Sequence, residues 1–378
     1  MKLRKVLGAF TAVGLSVAML AGCGSSAGTA SSSTSTATSS AATAVSEAAS
    51  TGTTGSVVTS TTAEAESTAA ATSAHFDAKD YKIAVVPKMT NIAWFQRMED
   101  GVKDYNKTNG TDIFYGGSAE GADQASYVES LLSEDWDAIC VVPFDSQALA
   151  PVLEKAKKKG IKVITHEAAS MDASSRDYDI EAFQNAAYGE NFMKELGKLC
   201  GGKGKYIQFV GSLTSVSHNE WCDAAKAYQE KNFPDMTCLG RYETGDDTTS
   251  SYNQTKELLT ANPDIVAIEG SASTDVVGAA QAVEELGLAG KVAIVGTSMT
   301  SIASQYVEDG TIASFSVWDP AMAGQAMINM AIAALDGNVQ DGMNLGVKGY
   351  EKITEKDGVY YGDARIDVTK DNMDQYNF

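Results

Sequence analysis

After Tyr81 the apolar and polar positions fall into two alternating patterns. Short, nearly continuous apolar runs occur at 82–87 (KIAVVP), 112–115, 138–144 (AICVVPF), 162–165 (KVIT), 178–183, 206–211 (YIQFVG), 265–270 (IVAIEG), 292–296 (VAIVG) and 312–318 (IASFSVW). Between most of them lie stretches with helical periodicity, at 93–109, 122–132, 147–159, 185–199, 219–231, 248–261, 274–286 and 321–335. Apolar runs without polar alternation are strands buried on both faces, and intervening helices supply the cover. The pattern predicts an α/β protein with doubly wound parallel sheets. Nine strands and eight helices exceed one such unit, so two lobes fit better than a closed α/β barrel. From 349 onward short polar runs (GVYY, ARIDV) read as edge strands or chain crossovers.

The segment before Tyr81 follows other rules. Lys2, Arg4 and Lys5 precede an apolar stretch at 6–20 that is short for a membrane span. It ends in Leu20-Ala21-Gly22-Cys23, which resembles the bacterial lipoprotein box. That resemblance implies a signal peptide at 1–22 and acylation of the Cys23 thiol; the alternative is an ordinary signal peptide with an incidental cysteine. Residues 24–74 are almost entirely Ser, Thr, Ala and Gly, with no aromatic, Leu or Ile. Such a chain buries too little apolar surface to offset its ordering entropy, which predicts a tether over 23–76. Fully extended it spans roughly 170 Å at about 3.3 Å per residue, a length suited to a Gram-positive-type envelope. The expected location is extracytoplasmic, anchored to the membrane through lipid.

Charge narrows the partners. The chain carries a net charge of -20, while residues 1–76 hold three basic and three acidic side chains. The whole excess therefore belongs to the body. A surface this acidic lacks the clustered cations that phosphate backbones need, so nucleic acid is excluded as a partner. Of the five cysteines, Cys140 sits in an apolar run and reads as a buried thiol. Cys200, Cys222 and Cys238 have no metal-ligand spacing, and a disulfide among them stays open. No metal or cofactor site is expected.

In doubly wound sheets ligands bind beyond the C-terminal ends of the strands. Here those ends are polar and aromatic. Lys88, Asn91, Trp94 and Phe95 follow the first run, Asp145 and Gln147 the third, and Glu167 the fourth; Glu181 lies in the fifth. Asn219 and Trp221 follow the sixth, Gly270, Ser271 and Ala272 the seventh, and Asp319 the last. Planar side chains with paired donors or acceptors grip adjacent hydroxyls, and aromatic faces cover the C–H faces of a ring. Asp145, Asn185 and Asn219 also stand where helix N-caps are expected.

From about Tyr81 to Phe378 the chain resembles the type I periplasmic sugar-binding proteins of ABC importers, and among them the autoinducer-2 and rhamnose receptor branch. AVVPKMTNIAWFQRMEDGV, AICVVPFDSQALAPVLEKAKKKGIKVITHEA, VSHNEWCDAAKAY and KVAIVGTSMTSIASQYVEDGTIASFSVWDPAMAGQA carry the resemblance, with the closing DNMDQYNF. It implies a monomer of two lobes joined by three crossovers that closes on a small sugar-like ligand by hinge motion. It further implies delivery to a membrane permease driven by a separate ATPase. Lobe 1 is expected at 77–182 with about 319–348, and lobe 2 at 183–318 with about 349–378. Lys88 matches a ligand-contacting lysine, Trp94 and Phe95 the ring-covering aromatics, and Asp319 a polar position beside the hinge; Gly270 and Ala272 follow a strand whose end supplies backbone contacts. The chain departs from the autoinducer-2 pattern at Gln147, at Glu167 and at Glu181-Ala182; the expected ligand is a monosaccharide or an autoinducer-2-like furanosyl signal.

A sensory co-receptor for a histidine kinase or chemoreceptor would use the same ligand site. An enzyme is disfavoured: the chain has three histidines, and no G-x-S-x-G or P-loop pattern is present.

Overall fold

The computed structural model describes residues 76–78 and 80–378; the expected signal peptide, Cys23 and all of the expected tether but Phe76 lie outside the described residues. Two sheets organise the body. In the first, β1 (Ile83–Val86), β2 (Phe114–Tyr115), β3 (Ala138–Val141), β4 (Lys162–Thr165) and β5 (Tyr178–Glu181) run parallel in the order β2-β1-β3-β4-β5. The second repeats that order with β6 (Lys203–Val210), β7 (Asp235–Glu243), β8 (Ile265–Gly270), β9 (Ala293–Thr297) and β10 (Ser314–Val317) as β7-β6-β8-β9-β10. The doubly wound α/β class and the division into two lobes are therefore observed directly.

Both faces of the first sheet are covered, as its apolar strands require. Ala84, Val86, Ile139, Val141 and Val163 pack beneath α2 (Gln124–Leu131) and α3 (Ser146–Lys158). Their neighbours Ile83, Val85, Cys140 and Ile164 face the opposite way, toward α1 (Ala93–Asn109) and α9 (Pro320–Asp336). Cys140 is fully buried there, and all four described cysteines are free thiols. Around the second sheet lie α4 (Asn185–Leu199), α5 (Val216–Asn232), α6 (Thr248–Ala261), α7 (Asp275–Glu285) and α8 (Thr300–Glu308). Glycine permits a close approach where α4 meets α5: a Cβ on Gly189 would stand 2.0 Å from the Trp221 carbonyl oxygen.

β7 and α8 were not anticipated. β7 is an edge strand in which Met236 is the one fully buried residue, so it lacks the apolar run of a central strand. α8 is nine residues long and buries only Thr300, Ala303 and Val307.

The chain passes between the sheets after β5, after β10 and once more near its end. The last passage was expected at about 349 and lies instead between Tyr361 and Ile366. β12 (Val359–Tyr361) pairs parallel with β5 in the first sheet, whereas β13 (Ile366–Val368) pairs antiparallel with β10 in the second. β11 (Thr354–Lys356) joins β12 through Asp357-Gly358, both at positive φ, the two-residue turn that matches strand twist.

Candidate ligand-binding site

The C-terminal ends of the two sheets converge on one small cavity of about 20 Å³, room for about one water with the lobes as they stand. Lobe 1 contributes Lys88, just past β1, Glu167, just past β4, and Ile92, Trp94 and Phe95 around the start of α1. Lobe 2 contributes His218 from the first turn of α5, Asp246 after β7, Ser271-Ala272-Ser273 after β8, and Thr297 ending β9. Trp318, where the chain leaves β10, completes the wall. Its ring meets Trp94 edge-on at 4.5 Å and Phe183 at 5.1 Å. The result is a polar floor beneath aromatic sides.

Charge in the cavity is concentrated and almost dry. Lys88 and Glu167 are each 3% exposed and form an ion pair with Nζ–Oε2 of 2.6 Å. Ser217 Oγ donates to the same Glu167 oxygen at 3.3 Å. Burial alone would push the Lys88 ammonium down, but Glu167 and Asp246 together outweigh it and hold it above its usual value. Burial and then the Lys88 ammonium push His218 well below its ordinary range, so its ring is neutral. Burial lifts the Asp246 carboxyl, with Lys88 opposing and Glu167 adding to the rise. Three non-glycine residues among those described have positive φ, and two of them are Glu167 at 58° and Asp246 at 56°. Left-handed backbone at a side chain costs about 1–3 kcal/mol and collects at ligand sites.

Residues 83–338 match the periplasmic binding protein domain family. The chain belongs to that family. Its members are binding proteins that work outside the cytoplasm. The xylitol-binding protein of Mycolicibacterium smegmatis is 26% identical over 311 residues, covering 81% of each chain. The D-xylose-binding periplasmic protein of Haemophilus influenzae is 29% identical over 257 residues, 65% of this chain and 74% of that protein. Among solved structures, LsrB from Clostridium saccharobutylicum in complex with AI-2 superposes with a TM-score of 0.72 at 24% identity, covering 79% of this chain and all of LsrB. A solute-binding protein from Clostridium phytofermentas with bound L-rhamnose gives the same TM-score at 22% identity, over 78% and 98% of the two chains. Likeness at this level establishes the periplasmic-binding fold.

Of the residues singled out in the sequence of this binding protein, Lys88, Trp94, Phe95, Glu167, Ser271 and Ala272 line the cavity. Asn91 lines a wider groove outside it, which also runs between the lobes and shares Ile92, Asp246 and Ser273 with the cavity. The others have structural partners. Asp145 caps α3, accepting from the Gln147 and Ala148 amides at 2.9 Å. Gln147 is exposed in the first turn of that helix. Glu181 is buried, accepts from the Ala169 amide at 3.1 Å and is pushed well above its usual range by burial, then Asp179 and Glu167. Asn219 does not cap α5, which begins earlier, at Val216; its amide bonds the Ser215 carbonyl and its oxygen accepts from Arg241. Asn185 likewise is not the cap of α4, for which Gln184 stands; it accepts from the Trp221 indole at 2.8 Å. That bond holds Trp221 in an aromatic cluster with Tyr188 and Phe183, behind the cavity wall. Gly270 ends β8, where a Cβ would stand 2.8 Å from Asp275 and 2.9 Å from Val276. Asp319 caps α9 and holds Arg97 through two bonds of 2.9 and 2.8 Å.

Sequence reasoning places Ile92, Ser217, His218, Ser273 and Thr297 in the polar stretches after the strands without singling them out, and misses Asp246 and Trp318 as site residues. Most of these adjoin positions it did select. Asp246 alone had no signal, because the edge strand before it was not recognised. Among the described residues no group of His, Cys, Asp or Glu is placed to hold a metal ion.

Proposed function

We propose that this chain is the lipid-anchored receptor of an ABC importer for one small, hydroxyl-rich ligand, a monosaccharide or an autoinducer-2-like furanosyl compound. Cys23 is the proposed acylation site, with the Ser/Thr/Ala segment as tether. The observation that carries the ligand class is the composition of the cavity. Donors (Lys88, His218) and acceptors (Glu167, Asp246) come from both lobes onto one shared space, and Trp94 and Trp318 flank it. Hydroxyls both donate and accept, so a polyol satisfies such a floor. The aromatic sides suit the C–H faces of a single ring. The names of related proteins agree in kind: xylitol, D-xylose, D-allose and ribose binders among relatives, AI-2 and L-rhamnose complexes among structures. Because each lobe supplies part of the floor, ligand bridges the lobes and stabilises the closed form, which the permease then receives.

The test is tryptophan fluorescence and thermal melting against pentoses, deoxyhexoses and autoinducer-2. At ligand 100-fold above Kd, binding adds about 2.7 kcal/mol, a rise of several degrees in Tm. No saturable response from any compound rejects the ligand class. Metabolic labelling with a fatty acid, compared between the full chain and Cys23→Ser, tests the anchor.

A further inference from the structure

Gly211, just past β6, organises two side chains that face ligand from lobe 2. Its amide N–H donates to His218 Nδ1 at 3.0 Å. A neutral imidazole carries one N–H, so accepting at Nδ1 places the proton on Nε2. That Nε2–H lies 3.4 Å from the Lys88 ammonium, which also only donates. Two donors at this distance do not bond each other, but one ligand oxygen can accept from both.

On the other side of Gly211 stands Asp246. A Cβ at Gly211 would lie 2.2 Å from Asp246 Oδ1, so any side chain there would displace this carboxylate. The loop carrying Asp246 is pinned by Thr244 N–H to the Val210 carbonyl at 2.9 Å and Gly245 N–H to the Gly211 carbonyl at 2.8 Å. Thr244 Oγ1 also donates to Asp275 at 2.7 Å, and Asp275 accepts the Ala272 amide at 2.8 Å, tying two cavity loops together. Asp246 itself is 5% exposed, lines the cavity, and has no hydrogen bond or ion pair with any described residue. Its carboxylate faces both the cavity and the wider groove, with the Lys88 ammonium as a favourable charge and no protein donor on its oxygens, so it is free to accept from a ligand.

Resting on the reading of the site as a polyol receptor, we infer that Asp246 and His218 are its specificity pair. Asp246 accepts from a ligand hydroxyl, His218 Nε2–H and Lys88 donate to a ligand oxygen, and Asp246 excludes ligands that bring a carboxylate or phosphate to that place. Lys88 faces both Glu167 and Asp246, so the floor sets two acids against one ammonium. A sugar acid would face that excess of negative charge directly, whereas a neutral sugar hydroxyl relieves it.

The experiment titrates wild type and Asp246→Asn with D-xylose, D-ribose, D-allose and L-rhamnose, and with D-glucuronate and D-galacturonate. The variant keeps the shape of the side chain and removes its charge. Expected are 10- to 100-fold weaker binding of the neutral sugar and a preference for neutral sugar over uronate that shrinks at least tenfold. The ligand-free variant should melt no lower than wild type, since no protein bond is lost. His218→Gln, which retains a donor near Nε2, should bind at least tenfold better than His218→Leu. Wild-type binding with Asp246→Asn within twofold in affinity and selectivity overturns the proposal and leaves the receptor reading intact. A wild type that ignores every sugar overturns both. Should Asp246→Asn fail to fold, Asp246→Ser is judged by the same criteria.

Discussion

Replacing Lys88 by Met tests whether the ion pair on the cavity floor acts through closure. The change keeps an unbranched stem and removes the ammonium. Glu167, 3% exposed, would keep only Ser217 Oγ at 3.3 Å for that oxygen, with Asp246 nearby and also unpaired. Orphaning one member of a buried pair costs about 3–5 kcal/mol, whereas an exposed pair contributes about 0–1 kcal/mol. Lys88 and Glu167 belong to the same lobe, so opening the cleft does not separate them. It hydrates them, because Ser217, His218 and Asp246 leave with lobe 2. The penalty of about 2–5 kcal/mol therefore falls on the closed form alone, and should weaken ligand binding about 30- to 3,000-fold at 1.4 kcal/mol per tenfold. Small-angle scattering without ligand should show Lys88→Met more open than wild type. Adding Glu167→Gln removes the orphaned charge and should return the population part-way to closed. A single variant with unchanged scattering and affinity within threefold, or a double variant as open as the single, refutes the reasoning.

Asp319→Ala removes the α9 cap and the paired bonds to Arg97; we expect a loss of about 1–3 kcal/mol in urea unfolding with ligand affinity unchanged, because Asp319 does not line the cavity. Gly189→Ala drives a Cβ into the Trp221 backbone of α5, and should cost about 1–3 kcal/mol or more by the same measurement. Glu269, fully buried with Oε1 unpartnered, is pushed up to about 8 by burial, and Asp275 to about 7 by the same cause. Both folded values exceed the unfolded ones of about 4, so the native state holds more protons and stability falls as pH rises from about 4.5 to 8. Glu269→Gln should flatten that decline by an amount on the order of a few kcal/mol; urea midpoints at pH 5 and pH 8 that fall equally in both proteins would contradict it.

Much of the fold was legible because its signals are local. The runs KIAVVP, AICVVPF and YIQFVG become β1, β3 and β6, each buried on both faces, and periodic segments such as 93–109 and 185–199 become α1 and α4. β7 was not legible, since an edge strand buries few side chains and its burial depends on one neighbour only. The late crossover was displaced for a related reason. Val359–Tyr361 and Ile366–Val368 look alike as short strands, and their choice of sheet is made by free edges at β5 and β10.

The site divides along the same line. Sequence alone determined the class of fold, the acidic body, and the fact that polar and aromatic residues crowd the strand ends. It also picked out Lys88, Glu167 and Trp94, which stand within a few residues of strands that were recognised. Tertiary structure decided which strand ends share a cavity. It placed Asp145, Asn219 and Asp319 in caps and ties within the scaffold, and brought Asp246 and His218 together over Gly211. The reason is physical: periodicity records what each element buries against its own sheet, residue by residue. A cavity between lobes depends on how the ends of two sheets face each other, and that relation involves positions as far apart as Lys88 and Trp318.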